Sequence, residues 1–522
     1  MMAGLTAAAV ALPLALAFGV SSGADAASGL ITAIIAGIVI SLLSGASYQI
    51  SGPTGAMTAV LIPIVSKYSL NGVFIVSLMA GAILLLAGIL KLGRLVTVIP
   101  RPVITGFTSG IAVIIALGQI DNLFGTASTG ESVIQKILSY GKMGFYVEWQ
   151  PVLIGVIVIA TMILWPKSLN AVVPSSLVGI VVATLISTLF NLSADTIGAI
   201  PTTLLPDARL DVSVLQLSEL PVLISPAVSI AALGMVESLL CGTSALRMKP
   251  NSTFDADQEL IAQGVGNMII PFFGGIPATA AIARTSVAIK SGSETRITGI
   301  FHAVILLASM FLLSGVMAII PHAALAGVLI MTAWRMNEWP AIKNMFTKRN
   351  RGAILKYLIT LAATVTFDLT IAIIIGVAFS ALVFVVISSK LEVTSSKVKN
   401  ELLHNCAHNV EPEHAGTTVI YMTGPLFFGN AEKLFDQVRS DIKNSERIIF
   451  SMRGVSAIDS TGAEVMLDIV SECVSSNVSV IICGLRQEVR RRLDLAGVTE
   501  MIGDDAYYFS VDRALTAKME TV

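Results

Sequence analysis

Apolar runs of helical length dominate the chain up to Lys390 and define most of its predicted elements. A run of about 20 apolar residues is long enough to cross a bilayer as a helix. Windows of this kind predict two sets of spans, separated by a polar, acidic segment over 191–219. The first set is Leu5–Val20, Gly29–Leu43, a half-helix from Thr54, Val73–Leu90, Val103–Leu117, Val152–Leu164 and Val173–Phe190. The second set is Ala227–Leu246, Leu260–Phe273, a half-helix from Ala278, Ile300–Met317, Leu325–Trp334, Ile354–Thr366 and Thr370–Ile387.

The third member of each set is interrupted by glycine and proline. The first break reads Ser51-Gly52-Pro53-Thr54-Gly55-Ala56, and the second reads Gly274-Gly275-Ile276-Pro277-Ala278-Thr279. Proline suits the first turn of a helix, where its missing N–H needs no partner. Interrupted segments at corresponding places in two halves of a membrane protein indicate a substrate site. We therefore predict two half-helices that begin in mid-bilayer, with the alternative that the prolines only kink structural helices.

Basic residues in the short loops predict the orientation of the chain. Lys and Arg near span ends favour the cytoplasm. They follow the fourth, eighth and twelfth spans, at Lys91, Arg94, Arg101, Arg247, Lys249, Lys343, Lys348, Arg349 and Arg351. Both termini are therefore expected in the cytoplasm. An odd number of spans per half inverts the second half, so we expect an inverted repeat with halves of about 1–191 and 222–389.

Composition excludes several classes of protein. Of 522 residues, 54% are hydrophobic and 13% are charged, about half the charged fraction of a soluble domain. A net charge of -1 argues against a nucleic-acid partner. The four cysteines, Cys241, Cys406, Cys473 and Cys483, show no paired spacing, so neither disulfides nor a cysteine zinc site is predicted.

The N-terminal apolar run is followed by Ala24-Asp25-Ala26, which imitates a signal-peptidase site. No positive residue precedes the run and Pro13 interrupts it, so we predict a first span rather than a cleaved signal. A longer leader ahead of residue 1 stays open.

Beyond Lys390 charge and alternation replace the apolar runs. A linker over 390–414 and a small α/β domain over 415–522 are predicted. Its strands are expected at Thr418–Tyr421, Arg447–Phe450 and Val478–Cys483, and its helices at Ala431–Lys443, Thr461–Ser475 and Arg486–Ala496. The linker carries His404, Cys406, His408 and His414, whose spacing matches no zinc pattern, so no metal site is predicted.

Several stretches resemble the SulP family of anion transporters. They are Ala11-Leu12-Pro13 with Ala17-Phe18, Ser51-Gly52-Pro53-Thr54-Gly55, Glu237-Ser238-Leu239-Leu240, Glu259-Leu260-Ile261-Ala262-Gln263-Gly264 with Asn267, and Gly274-Gly275-Ile276-Pro277 through Ala283-Arg284-Thr285. Asp459-Ser460-Thr461-Gly462 is similar to the signature of a STAS domain. The order and spacing of these stretches carry the resemblance, which covers nearly the whole chain.

The resemblance implies a polytopic α-helical membrane protein with 14 transmembrane segments in a 7+7 inverted repeat, a core domain that moves against a gate domain, a cytosolic STAS domain and a homodimer. We expect a secondary active transporter of the bacterial inner membrane, elevator-like in mechanism, that carries sulfate, bicarbonate or a similar oxyanion, or a dicarboxylate. Leu14 departs from the polar residue common in the family, so the substrate stays open. A cytosolic protein partner of the STAS domain is also expected.

Facing half-helix N-termini would form an anion site. One terminus contributes at most about 2 kcal/mol, whereas a charge at the bilayer centre costs about 2.5–3.5 kcal/mol or more. Further hydrogen bonds are therefore expected. The predicted donors are the N–H groups of Gly55, Ala56, Thr279 and Ala280 and the hydroxyls of Thr54 and Thr279, with Ala278 beside them. The resemblance adds Phe18 to the pocket.

Two ionisable residues fall within the predicted spans. Arg284 lies about two helical turns past Pro277, and it either provides a positive field or pairs with a carboxylate or with carbonyls. Glu237 is flanked by apolar residues, and removal from water favours its neutral form, so it is the predicted proton-coupling residue. The alternatives are permanent pairing with Arg284, or sodium coupling with Cys241 one turn on. A thiol is a poor ligand for the hard sodium ion, so the proton is favoured.

Ser460 resembles a phosphorylation site of anti-sigma-factor antagonists, although N-capping by Asp459 or Ser460 explains the same residues and is favoured. No nucleophile with a matched base is evident, so neither an enzyme nor a bound cofactor is predicted. Two rival functions stay open: a channel-like anion conductor, and an anion receptor that signals through the STAS domain.

Overall fold

The computed structural model describes residues 1–94, 99–130, 132–166, 169, 173–211, 220–250, 252–367, 369–388, 391–398 and 416–516. They form two compact units, Met1–Ala378 and Phe379–Val522. Most of the predicted linker, with His404, Cys406, His408 and His414, lies outside the described residues.

Helices make up most of the first unit. In its first half they are α1 (Met2–Ser21), α2 (Ala26–Leu43), α3 (Gly55–Ile89), α4 (Arg101–Gly118), α5 (Ile120–Phe124), α6 (Val133–Met143), α7 (Trp149–Leu164) and α8 (Ser175–Leu189), with strand β1 (Ser51–Gly52) before α3. In its second half they are α9 (Leu220–Met248), α10 (Ala256–Ile269), a 3-10 turn (Ile270–Phe273), α11 (Ile282–Lys290), α12 (Ile297–Leu312), α13 (Ser314–Ala318), α14 (His322–Met336), α15 (Trp339–Thr347), α16 (Arg351–Thr366) and α17 (Leu369–Ser388), with strand β2 (Thr279–Ala280) before α11.

Each predicted span overlaps one of these helices, in agreement with a polytopic helical membrane fold. Among the described residues, five helical segments are long and apolar enough to cross a membrane: α1, α2, α3, α9 and the stretch Arg101–Phe124. The predicted third and fourth spans both lie in α3, as two helical stretches that meet at a kink at Ser69, where φ is 60° and ψ is -179°. This pair of angles is not helical, so the chain changes direction between the two stretches.

The helices of the first unit pack as two groups. The first helix group is α1, α2, α3, α9, α10, α11 and α12, and the second is α4, α7, α8, α14 and α16. Small residues allow close packing inside the first group: a Cβ at Gly264 of α10 would lie 2.5 Å from the backbone nitrogen of Leu85 in α3. The groups meet where α1 contacts α14 and α8, and where α3 contacts α4.

The second unit contains a five-stranded sheet in the order β3-β4-β5-β6-β7. Its strands are β3 (Glu392–Lys397), β4 (Thr417–Thr423), β5 (Arg447–Gly454), β6 (Ser479–Cys483) and β7 (Tyr507–Tyr508). Its helices are α18 (Ala431–Lys443), α19 (Ser460–Ser475), α20 (Gln487–Leu495), α21 (Val498–Ile502) and α22 (Val511–Thr516), with a 3-10 turn at Asp504–Ala506. The predicted strands and helices are confirmed to within a few residues.

Strand β3 falls in the stretch that the sequence assigned to a linker. It pairs antiparallel with β4, while the other neighbouring strands pair in parallel. Most of its side chains are exposed. An edge strand of this kind is held by main-chain hydrogen bonds and needs no apolar alternation, so the hydrophobic pattern does not reveal it.

Candidate functional site

The two predicted breaks contact each other in the first unit. Strands β1 and β2 pair antiparallel, with Ser51 opposite Ala280 and Gly52 opposite Thr279. The N–H of Ala281 also donates to the carbonyl of Ile50 at 2.9 Å. The breaks therefore form one structural element at the start of α3 and α11.

The first break leads directly into a helix, as expected. Thr54 is the N-cap of α3, and its hydroxyl accepts from the N–H of Met57 at 3.3 Å. The N–H groups of Gly55 and Ala56, in the first turn, have no acceptor among the described residues. An open helix N-terminus of this kind can bind an anion.

The second break does not lead directly into a helix, so the predicted start at Ala278 is wrong. The chain stays extended through β2, and α11 begins at Ile282. Pairing with the first break and the side chain of Asn267 hold it there: Asn267 accepts from the N–H of Ala278 at 2.7 Å and donates to its carbonyl at 2.9 Å. The sequence predicts the N–H of Ala280 as a donor to the anion. That prediction is wrong, because this N–H donates to the hydroxyl of Ser238 at 3.3 Å.

Glu237 of α9 lies between the two breaks. One oxygen of its carboxylate, Oε2, accepts from the hydroxyl of Thr54 at 2.7 Å and from the hydroxyl of Thr279 at 2.6 Å. The two hydroxyls are 3.1 Å apart. The predicted coupling residue thus contacts one threonine from each half of the chain.

Arg284 lies in the first turn of α11, not two turns into a helix, because the residues before it are extended. Its side chain is 1% exposed and donates from Nη2 to the carbonyl of Pro53. Within the described residues it forms no ion pair with Glu237 or another carboxylate, and Nε and Nη1 have no acceptor. A Cβ at Gly52 would lie 2.3 Å from Nη1, so glycine is needed opposite the guanidinium.

Phe18 and Ile115 cover the N-terminus of α3. A Cβ at Gly55 would lie 3.2 Å from Cε1 of Phe18 and 2.3 Å from Cδ1 of Ile115. Phe18, Thr58 and Ile115 line a cavity of about 10 Å³. A water molecule needs about 10–15 Å³, so this cavity has no room for an oxyanion. Ile115, from the second helix group, is the nearest neighbour that a Cβ at Gly55 would meet.

A fully buried carboxylate, Glu259, supports the first break. Glu259 is 0% exposed and accepts from Ser44 Oγ at 2.6 Å, Gly45 N at 3.0 Å and Gln263 Nε2 at 2.8 Å. Gln263 Nε2 also donates to Ser51 Oγ at 2.9 Å. Apart from the family resemblance, the sequence indicates no role for Glu259 and Gln263. Their spacing of four residues on an apolar helix, which brings the side chains together, was the available signal.

In the second unit, Asp459 is the N-cap of α19. Its carboxylate accepts from the N–H of Gly462 at 2.7 Å and from the N–H of Phe428 at 3.1 Å. Ser460 is the first residue of the helix and is exposed. N-capping therefore explains Asp459, and Ser460 as a phosphorylation site stays a prediction.

Comparisons with known proteins agree with this architecture. Residues 1–360 match the model of the sulfate permease family, and residues 410–514 match the STAS domain. The putative sulfate transporter YvdB of Bacillus subtilis is 32% identical over 97% of this chain and 95% of its own length. The bicarbonate transporter BicA of Synechocystis is 30% identical over 98% of this chain and 92% of its own length.

Two solved structures share the fold. The transmembrane domain of a cyanobacterial BicA covers 72% of this chain and 96% of its own at 32% identity, with a TM-score of 0.66. Murine Slc26a9 in the inward-facing state covers 99% of this chain and 90% of its own at 18% identity, with a TM-score of 0.83. The chain therefore belongs to the sulfate permease family, as a membrane transporter with a C-terminal STAS domain rather than an enzyme.

Proposed function

We propose that the protein is a proton-coupled secondary active transporter of a small anion: sulfate, bicarbonate or a similar oxyanion, or a dicarboxylate. The contact of Glu237 with Thr54 and Thr279 is the observation that carries the proposal. It places an ionisable group between the two breaks, next to the open N-terminus of α3.

Two features of the site favour a bound anion. The N–H groups of Gly55 and Ala56 are open donors at a helix N-terminus, and Arg284 is a buried cation with two donor nitrogens free of acceptors among the described residues. One helix terminus supplies at most about 2 kcal/mol, less than the cost of a charge at the bilayer centre. The guanidinium is needed to offset the remainder, because hydrogen bonds to charged groups contribute about 1.5–3 kcal/mol each.

Coupling follows from the charge of Glu237. As a carboxylate it repels an incoming anion and accepts from both threonines. When protonated it is neutral, so proton entry removes the repulsion and favours anion binding. Release of the proton on the other side restores the repulsion and helps to expel the anion.

Sodium coupling is the weaker alternative. It would use Glu237 and Cys241, one turn apart on α9. The Cys241 thiol donates to the hydroxyl of Thr285 at 3.3 Å, and sulfur is a poor ligand for a hard cation.

Alternating access is proposed to move the first helix group against the second, in an elevator-like manner. Both breaks, Glu237 and Phe18 belong to elements of the first group, whereas Ile115 on α4 belongs to the second. Displacement of α4 from Gly55 would open the small cavity to substrate.

The remaining proposals follow from the loop charges and the family. They are a 7+7 inverted repeat of 14 spans, cytoplasmic termini in a bacterial inner membrane, a homodimer, and a cytosolic protein partner of the STAS domain. Cross-linking of single-cysteine variants and labelling of loop cysteines from each side would test assembly and orientation.

Uptake into proteoliposomes tests the main proposal. Radiolabelled sulfate, bicarbonate and fumarate are offered under an imposed proton or sodium gradient. We expect uptake of one anion to follow an inward proton gradient, and Glu237→Gln to abolish the coupling. Cys241→Ser is the matched control one turn along α9 and is expected to retain proton coupling.

The other outcomes contradict the proposal in distinct ways. Uptake that depends on sodium would overturn the coupling ion. Flux that persists in Glu237→Gln with no dependence on pH would indicate a channel-like conductor. If no anion crosses the membrane but signalling that depends on the STAS domain is intact, the protein would be an anion receptor.

A further inference from the structure

A larger cavity lies apart from Glu237, beside the kink of α3. Its volume is about 630 Å³, and Lys67 and Tyr68, which precede the kink at Ser69, form part of its wall. Residues of α3 and α9 from the first helix group line one side, and residues of α4, α16 and the short helix α6 line the other. The cavity is therefore a groove between the two groups that are proposed to move.

The body of the groove is apolar and faces the surroundings of the helices. Ile62, Pro63 and Ile114 line it, together with Val222 and Phe367. Val222 is 56% exposed and Phe367 is 58% exposed. Apolar side chains of this kind suit an acyl chain, whose removal from water is favourable.

Two lysines line the groove. Lys67 follows Ile62 by about 7.5 Å along α3, and Lys136 stands on α6. These lysines are the charged side chains among the described lining residues, and Ser132 and Ser225 add hydroxyls. The groove is thus lined by apolar side chains, hydroxyls and two cations.

Helix α6 is fixed in place, so Lys136 is a positioned charge. A capping box between Ser132 and Gln135 begins the helix. The Tyr140 hydroxyl donates to Asp121 Oδ1 at 2.8 Å. Partial burial and this hydrogen bond raise the pKa of Tyr140 to about 12, so the hydroxyl stays protonated at neutral pH.

We propose that the groove binds an anionic phospholipid, with its phosphate on Lys67 and Lys136 and an acyl chain along Ile62, Pro63 and Val222. Basic pockets between transmembrane helices on the cytoplasmic side bind anionic headgroups, and the same charge pairing is proposed here for Lys67, which the predicted topology puts on the outer side. Because the walls belong to both helix groups, a bound lipid restrains their relative movement. The groove shares Ala59, Ile62 and Ile114 with the small cavity beside Phe18 and so adjoins the proposed anion site, and lipid binding is proposed there whichever anion is carried.

Binding can be measured with phosphatidylglycerol as the probe. The full-length protein is reconstituted in phosphatidylcholine nanodiscs with increasing phosphatidylglycerol, and its unfolding temperature and retained phosphatidylglycerol are recorded. We expect saturable stabilisation by phosphatidylglycerol. Each lysine near a charged lipid contributes about fivefold in affinity, so the double variant Lys67→Gln/Lys136→Gln should bind about 25-fold more weakly.

Two controls keep the test decisive. Lys142→Gln removes a charge from the last turn of α6, outside the groove, and should bind like the wild type. Lys67→Arg/Lys136→Arg keeps both charges and should retain binding, which separates loss of charge from loss of folding. Wild-type affinity in the double glutamine variant would overturn the proposal. Equal stabilisation by phosphatidylcholine alone, or by soluble glycerol 1-phosphate, would also overturn it, in favour of a purely apolar groove or a small-anion site.

Discussion

The first break passes straight into α3, with Thr54 as its N-cap, whereas the second runs through strand β2 before α11 begins at Ile282. The first break leaves the N–H groups of Gly55 and Ala56 open. The second uses its N–H groups for internal contacts and instead brings in Arg284.

This difference shows how two breaks of similar sequence can build an asymmetric site. Two facing helix termini would make equal contributions, but here one half supplies a helix N-terminus and the other supplies a guanidinium and the Thr279 hydroxyl. The helix terminus provides direction through its N–H groups, and the buried cation provides the stronger field. Four experiments test this division of roles between the two breaks.

Gly52→Ala should have the largest effect. The new Cβ would lie 2.3 Å from Nη1 of Arg284, so the buried guanidinium, which is 1% exposed, must shift. We expect the guanidinium to leave the Pro53 carbonyl. Its hydrogen bonds to the anion are then lost, so anion uptake should fall about 100-fold. Gly141→Ala, where nothing lies within 4 Å of a Cβ, is the matched control and should transport normally. Normal uptake in Gly52→Ala would remove Arg284 from the site.

Proline substitution can remove one N–H at the same helical position after each break. Ala56→Pro and Ala283→Pro both fall at the second residue of a helix, where proline is tolerated, so each removes one N–H from the first turn. Ala56→Pro should raise the KM for the anion about 10-fold, because the lost donor contacts a charge. Ala283→Pro should leave KM unchanged. A larger effect at Ala283 would mean that α11, not α3, presents its terminus to the substrate.

Asn267→Ala tests what holds the second break extended. Its amide satisfies both backbone groups of Ala278, and their loss leaves buried groups unpaired, at a cost of about 2–3 kcal/mol in the free energy of unfolding. Asn337→Ala, which loses one half-buried bond to Ala333, is the control and should cost less than about 1 kcal/mol. Thermal unfolding of the purified proteins measures both. Equal costs would mean that β pairing alone fixes the second break.

The asymmetry could not have been predicted from the sequence. Glycine and proline at 52, 53, 274, 275 and 277 mark where a helix cannot continue, and the hydrophobic periods locate the helices and most strands of the STAS domain. They do not say what an extended segment pairs with. The contact of Ser51 with Ala280, and that of Asn267 with Ala278, join residues distant in sequence or on separate elements. Local propensity at Ala280 and Ala281 favours a helix, and tertiary hydrogen bonds override it.

The smallest expected effect is a difference in stability to unfolding between Thr54→Val and Thr279→Val. Each removes one hydroxyl donor to Glu237 Oε2, so both should weaken coupled uptake to a similar degree. Thr54 also caps α3 through the N–H of Met57, whereas α11 has Ala281 at its N-cap and no side-chain cap. Loss of an N-cap costs about 1 kcal/mol, so Thr54→Val should unfold more easily than Thr279→Val by that amount.

Serine separates the two roles of Thr54. Thr54→Ser and Thr279→Ser keep the hydroxyl, so both should recover uptake, and Thr54→Ser should also recover the stability that valine loses. If Thr279→Val were the less stable protein, the second threonine would be initiating a helix as the first does. The two breaks would then be equivalent, and the anion would lie between two helix termini after all.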